Sequence, residues 1–222
     1  YTVFAKILKM GGDIPHYSVY LMTGTVFWSF FSECTSQGIQ AIVGRSDLLR
    51  KISFPKWIIV VSSTITALIN FLINLCVIIV FALLNGVTPS FTWLLAPLVI
   101  LELYLLSLGI AFFLGSINVK YRDISSIWEV LMQALFYAVP IIYPITMVSA
   151  SSVVAAKVLL LNPIAQVIQD ARYLLITDQS ITVWNFIDNI FLRFLPVLIT
   201  LFILTIGSIY FRKHSKYFAE EA

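Results

Sequence analysis

The sequence predicts an all-α integral membrane protein, with five transmembrane helices of an expected six and a re-entrant or interfacial helix pair on the outer side before the last span. Three observations predict this class. Of 222 residues, 60% are hydrophobic and 11% charged, against about 45–50% and about 25% in soluble domains. Five stretches are long enough, at about 1.5 Å per residue, to cross a hydrocarbon core of about 30 Å. Between Trp57 and Leu101 there is no charged residue at all. Such a chain cannot cover a water-facing surface, which excludes a soluble enzyme, a disordered protein and a nucleic-acid binder. The net charge of +3 is too small to point to a polyanion partner. Cys34 and Cys76 both lie in apolar runs and supply neither a disulfide framework nor metal-ligand spacing.

The spans follow in order. The first covers residues 17–41 with the single charge Glu33. The second, 57–84, has Asn70 and Asn74 as its most polar members, and the turn signal Asn85-Gly86-Val87-Thr88-Pro89-Ser90 separates it from the third. The third, 93–117, contains Glu102. The fourth, 124–143, has Glu129 near its start and Pro140 near its end, and the fifth, 190–211, has Arg193 near its start. A charge at mid-bilayer costs about 2.5–3.5 kcal/mol on insertion scales, so runs this poor in charge read as membrane spans. Continuous apolar runs of this length fit helices rather than barrel strands.

If the spans alternate, nine of the fourteen basic residues fall on one side: Arg45, Arg50, Lys51 and Lys56, then Lys120 and Arg122, then Arg212, Lys213 and Lys216. The positive-inside rule makes that side cytoplasmic and places the C-terminus there. Five spans then leave Tyr1 outside, which predicts a span missing from the front. The outer segment, residues 144–189, is too long for a simple connection and too apolar to be merely solvated. Within it, Ile164–Ile176 reads as an amphipathic helix, with Ile164, Val167, Ile168, Ala171, Leu174 and Leu175 on one stripe and Gln166, Gln169 and Asp170 opposite. Pro140, Pro144 and Pro163 break any continuous helix.

Four groups of residues are candidates for function. Residues 45–56 form a short amphipathic cytoplasmic segment in which Ser46 or Asp47 can cap a helix. It can transmit force from a soluble partner, although on spacing alone anchoring by four basic residues is the better account. Lys120, Arg122 and Asp123 lie in a tight turn, with Asp123 placed to cap the fourth helix. The aromatic residues Trp28, Phe30, Phe31, Phe136 and Tyr137 can stack on sugar rings as a glycan slides past, or can serve helix packing. Glu33 and Glu102 are acids at membrane depth, each alone in its span, and they read as pore-facing or packing residues. No phosphate-cradling glycine loop, metal motif, serine elbow or magnesium-holding acid cluster is present. The chain therefore reads as a non-enzyme that binds no cofactor; if ATP drives it, another chain holds the ATP and its magnesium.

Six pieces in order resemble the membrane subunit of type-2 ABC exporters of polysaccharides, the O-antigen and teichoic-acid group. They are Tyr20-Leu-Met-Thr-Gly24 with Phe27-Trp-Ser-Phe-Phe31; Leu48-Leu-Arg-Lys-Ile-Ser-Phe-Pro55; Asn118-Val-Lys-Tyr-Arg-Asp-Ile124; Pro140-Ile-Ile-Tyr-Pro144; Leu161-Asn-Pro163; and a basic tail ending Phe218-Ala-Glu-Glu221. The resemblance covers essentially the whole chain. It implies six spans, an N-terminal amphipathic helix that is missing here, and a homodimer in the bacterial cytoplasmic membrane paired with two ATPase subunits. It makes Arg45, Asp47, Arg50, Lys51, Phe54 and Lys56 an ATPase-coupling interface, and places Pro140, Tyr143, Pro144, Asn162 and Pro163 near an outer gate. The implied function is ATP-driven export of a glycan linked to undecaprenyl pyrophosphate or a similar carrier. An exporter of a drug or other lipid is the nearest alternative. A polyprenyl-lipid transferase lacks its acid cluster, since Asp47 and Asp123 are single and far apart. A proton-coupled transporter lacks a relay, since His16 and His214 lie at the ends.

Overall fold

A computed structural model describes residues 14–46, 54–216 and 218. Among these residues the regular structure is helical: α1 (Tyr17–Gln40), α2 (Trp57–Leu84), α3 (Ala96–Lys120), α4 (Ile124–Ala138), α5 (Ile145–Ser151), α6 (Val153–Leu160), α7 (Pro163–Leu175), α8 (Val183–Phe186), α9 (Ile190–Arg193) and α10 (Leu195–His214). Short 3₁₀ turns occupy Val43–Arg45 and Phe91–Leu95. On length and composition, three helical stretches can cross a bilayer: Trp57–Leu84, Phe91–Lys120 and Leu195–His214. Helix α1 has the length but is less apolar than these.

Two predicted spans end differently from expectation. The fourth stops at Ala138, because Val139 takes an extended conformation (φ −94°, ψ 141°) ahead of Pro140; a residue before proline is driven out of the helical region. Its 15 residues span only about 22 Å. The last is interrupted at Phe194, before Pro196, and resumes as α10.

Helix α3 lies between α1 and α10 and packs on both. Lipid offers no hydrophobic incentive for helices to associate, so close backbone approach and buried hydrogen bonds hold them together. At the α3/α10 crossing, a Cβ on Gly109 would lie 2.6 Å from Leu204 Cα, and one on Gly207 would overlap the Gly109 carbonyl. At the α1/α3 crossing the Asn118 side chain donates to Ile39 O at 3.2 Å. The seam of α1 and α2 is aromatic: Phe71 meets Phe27 edge-on at 5.1 Å and Phe30 at 4.6 Å. The outer face of α2 leaves Ile69, Ile73, Val77 and Val80 exposed, as a lipid-facing helix does.

The outer segment is a bent pair. Helices α6 and α7 meet at 94° across Leu161-Asn162. Asn162 Oδ1 accepts from Ile164 N at 3.0 Å and Pro163 occupies the first turn of α7, so both residues start the second arm. The apolar stripe of α7 is buried as expected, but its polar face is buried too: Gln166, Gln169, Asp170 and Arg172 are each at most 5% exposed.

Candidate functional site: a groove between α1 and α4 and the latch above it

Helices α1 and α4 diverge around a groove of about 510 Å³. One wall carries Trp28, Ser32 and Ser36 from α1; the other carries Glu129, Gln133 and Tyr137, with Met132 and Phe136, from α4. Both walls repeat every four residues, one helical turn, so the groove runs along the helices. At one end lie the aromatic rings, with Trp28 against Phe136 at 5.9 Å and Phe136 edge-on to Tyr137 at 5.4 Å. Trp28 is 6% exposed, whereas Tyr137 is 72% exposed and presents a free face. At the other end lie Ser36 and Glu129, nearer the Lys120–Asp123 turn. Trp128 Nε1 donates to Thr35 Oγ1 at 3.0 Å and ties the two walls together.

Of the five candidate conduit aromatics, the structure brings Trp28, Phe136 and Tyr137 to the groove. Phe30 faces α2 and packs on Phe71. Phe31 is buried beside Trp28 and Trp128. The polar lining of Ser32, Ser36, Glu129 and Gln133 escaped the sequence reading. Helical spacing shows that these residues share faces, but not that α1 and α4 are neighbours.

Above the aromatic end, Arg172 of α7 is 0% exposed. Its Nε donates to Tyr20 O (3.1 Å), Nη1 to Pro140 O (2.7 Å) and Gln169 Oε1 (2.8 Å), and Nη2 to Ile141 O (2.6 Å). The guanidinium lies 3.6 Å from the centre of the Tyr20 ring. Carbonyls 140 and 141 are available because α4 has just ended, and a rigid five-donor fork can serve several at once. Gly24 leaves the room: a Cβ there would stand 3.0 Å from Arg172 Cζ and 3.2 Å from Ile141 O. Tyr17 Oη adds a bond to Ile142 O at 3.1 Å. Of the candidate outer-gate residues, Pro140 is thus tied to α1 and α7, Tyr143 Oη donates to Ala138 O at 3.3 Å, and Pro144 caps α5 while Asn162 and Pro163 form the α6/α7 bend.

Each membrane acid, with no other acid in its span, has amide partners. Glu33 Oε1 accepts from Asn70 Nδ2 and Gln37 Nε2, both at 2.8 Å, because α2 lies beside α1. Glu102 Oε2 accepts from Gln166 Nε2 at 3.4 Å, and that amide also donates to Asp170 Oδ2 at 2.6 Å. Partners on another helix are invisible within one span.

On the basic side, Asp123 stands at the N-cap of α4, but its side chain makes no capping hydrogen bond, because the residue is itself helical in conformation. Lys120 lies 5.5 Å from the Tyr121 ring centre, and Arg122 is exposed. Arg45 is exposed, and Phe54 packs in the cluster of Phe112, Phe211 and Phe218. Lys56 Nζ donates to Ser215 O and lies 5.8 Å from the Phe218 ring centre, linking the end of the segment to the tail. Asp47, Arg50 and Lys51, with the expected capping by Ser46 or Asp47, involve positions outside the described residues.

A family model described as ABC-2 type transporter matches residues 1–176. The chain is 31% identical over 161 residues to the O-antigen export system permease protein RfbA of Myxococcus xanthus, covering 72% of this chain and 61% of that protein. It is 26% identical over 176 residues to a protein of the same name from Klebsiella pneumoniae, covering 78% of this chain and 65% of that one. To a second protein of that name from Klebsiella pneumoniae it is 27% identical over 225 residues, covering 99% of this chain and 80% of the relative. The chain thus spans under two thirds of the length of the first two.

Proposed function

Because the chain belongs to the ABC-2 type transporter family, as a membrane transport subunit, we propose that it is the permease of an ATP-driven exporter of a lipid-linked cell-surface glycan. The observation that carries this reading is the α1/α4 groove, which pairs stacking rings with hydroxyl and amide groups, the two chemistries that hold carbohydrate. The names of three relatives, all O-antigen export permeases, support the same substrate class.

On this reading two copies of the chain pair with two ATPase subunits in the bacterial cytoplasmic membrane, with the basic connections and the C-terminus inside. ATP and magnesium bind only the partner. Segment 45–56, with Arg45, Asp47, Arg50, Lys51, Phe54 and Lys56, docks on the ATPase, and the turn at Lys120, Arg122 and Asp123 lies beside it. Nucleotide binding moves that segment, and the motion reaches α1 and α4. The glycan slides along the groove past Trp28, Phe136 and Tyr137, while Phe30 and Phe31 hold the α1 wall in place. It leaves beneath the outer gate formed by Pro140, Tyr143, Pro144, Asn162 and Pro163.

The test is complementation of a permease-deleted strain with the full-length gene. The double variant Trp28→Ala/Tyr137→Ala is expected to lower surface glycan at least tenfold while still co-purifying with the ATPase. Reversal of Arg50 and Lys51 to Glu is expected to abolish that co-purification. Normal surface glycan in the first variant, or an intact ATPase complex in the second, sinks the corresponding half of the proposal.

A further inference from the structure

The groove carries more information than its aromatic rings. Along α1, Thr25, Ser29, Ser32, Ser36 and Gln40 follow one another at helical spacing, and none of them is fully buried. Along α4, Ser125, Glu129, Gln133 and Tyr137 recur every four residues. These are two polar stripes on helices otherwise rich in apolar residues, and Ser32, Ser36, Glu129 and Gln133 meet across the same groove. Within the described residues, none of those four side chains forms a hydrogen bond. Polar groups without partners on helices otherwise rich in apolar residues mark a path for a hydrogen-bonding ligand rather than a lipid contact.

The balance of donors and acceptors limits what that ligand can be. A serine hydroxyl and a carboxamide both donate and accept, as sugar hydroxyls do, so each rung can exchange partners as a chain slides. A carboxylate only accepts. Glu129 therefore takes hydrogen bonds from sugar hydroxyls but meets a phosphate or uronate with like charge and no proton to share. Among the described residues no lysine, arginine or histidine lines the groove to offset it.

We propose that the α1/α4 groove selects an uncharged carbohydrate chain and that Glu129 is the specificity residue that rejects polyanionic polymers, with Ser32, Ser36 and Gln133 as hydroxyl-exchanging rungs. The inference rests on the groove being the glycan path, and names the class of glycan it takes.

The full-length permease with its ATPase, reconstituted in liposomes, tests it with two probes on one polyprenyl-diphosphate carrier: a neutral hexose oligomer and a glycerol-phosphate oligomer of equal length. Transport of the neutral probe is expected to exceed that of the phosphate probe at least tenfold. Glu129→Gln is expected to narrow that ratio at least threefold, and Glu129→Lys more. Each variant is first checked for intact assembly with the ATPase. Equal transport of both probes by the wild type, or an unchanged ratio in both variants, overturns the charge filter while leaving the glycan path standing. Transport of neither probe removes the path itself, and the filter with it. Loss of self-association in Glu129→Lys assigns this face to a second copy of the chain and likewise overturns the proposal.

Discussion

Arg172 shows how a single residue can replace a missing piece of secondary structure. Among the described residues the lone ion pair is between Lys157 and Asp188, so no carboxylate neutralises this guanidinium. Carbonyl dipoles and a tyrosine face hold it instead, and a hydrogen bond to a charged group contributes about 1.5–3 kcal/mol. Lysine is not equivalent, since its compact ammonium cannot reach Tyr20 O, Pro140 O and Ile141 O together. Arg172→Lys is expected to lower the melting temperature of the detergent-solubilised protein by about 5–10 °C, at about 2–4 °C per kcal/mol for a chain of this size. An unchanged melting curve would show that the fork does not hold the outer segment. In the sequence Arg172 was visible only as a lone basic residue on an amphipathic helix. Its pairing with the small residue Gly24 spans most of the chain, and spacing rules do not reach that far.

At the scale of elements, α2 and α3 were legible because long runs nearly free of charge have one inexpensive environment, the bilayer core. The stops were less so. Pro140 signalled a break, yet hydropathy continued through it and drew the fourth span too long, and it ran unbroken through the interruption at Phe194. For α7 the periodicity separated two faces correctly but could not say that the polar face meets protein rather than water. The α3/α10 crossing gives a quantitative test. Gly207→Leu places a side chain where the Gly109 carbonyl lies, so the backbones must part. Overpacking of this kind costs about 1–3 kcal/mol. The variant is expected to melt about 2–12 °C lower, while Leu201→Ala, on an exposed position of the same helix, is expected to melt like the wild type. Equal melting of both would mean that the two helices do not depend on this contact.

At the scale of the whole molecule, the class of the protein was legible and the groove was not. The resemblance rested on six short pieces, of which Tyr20–Gly24 and Pro140–Pro144 meet in space around Arg172. Orientation is testable in a background with Cys34 and Cys76 replaced. Ser90→Cys, in the exposed loop after α2, is expected to react with an impermeant maleimide added to intact cells. Ser46→Cys is expected to react only after permeabilisation. The reverse pattern would turn the molecule over and place the basic connections outside.

The hydroxyl-rich face of α1 also bears on how the protein is made. A helix bearing Thr25, Ser29, Ser32, Glu33, Ser36 and Gln40 partitions into hydrocarbon reluctantly, and it is synthesised before α2, which partitions readily. Glu33 finds its amide partner Asn70 only when α2 arrives. Helix α1 is therefore expected to enter lipid efficiently only in the company of α2, and a glycosylation-mapping assay of α1 with and without residues 57–84 checks this.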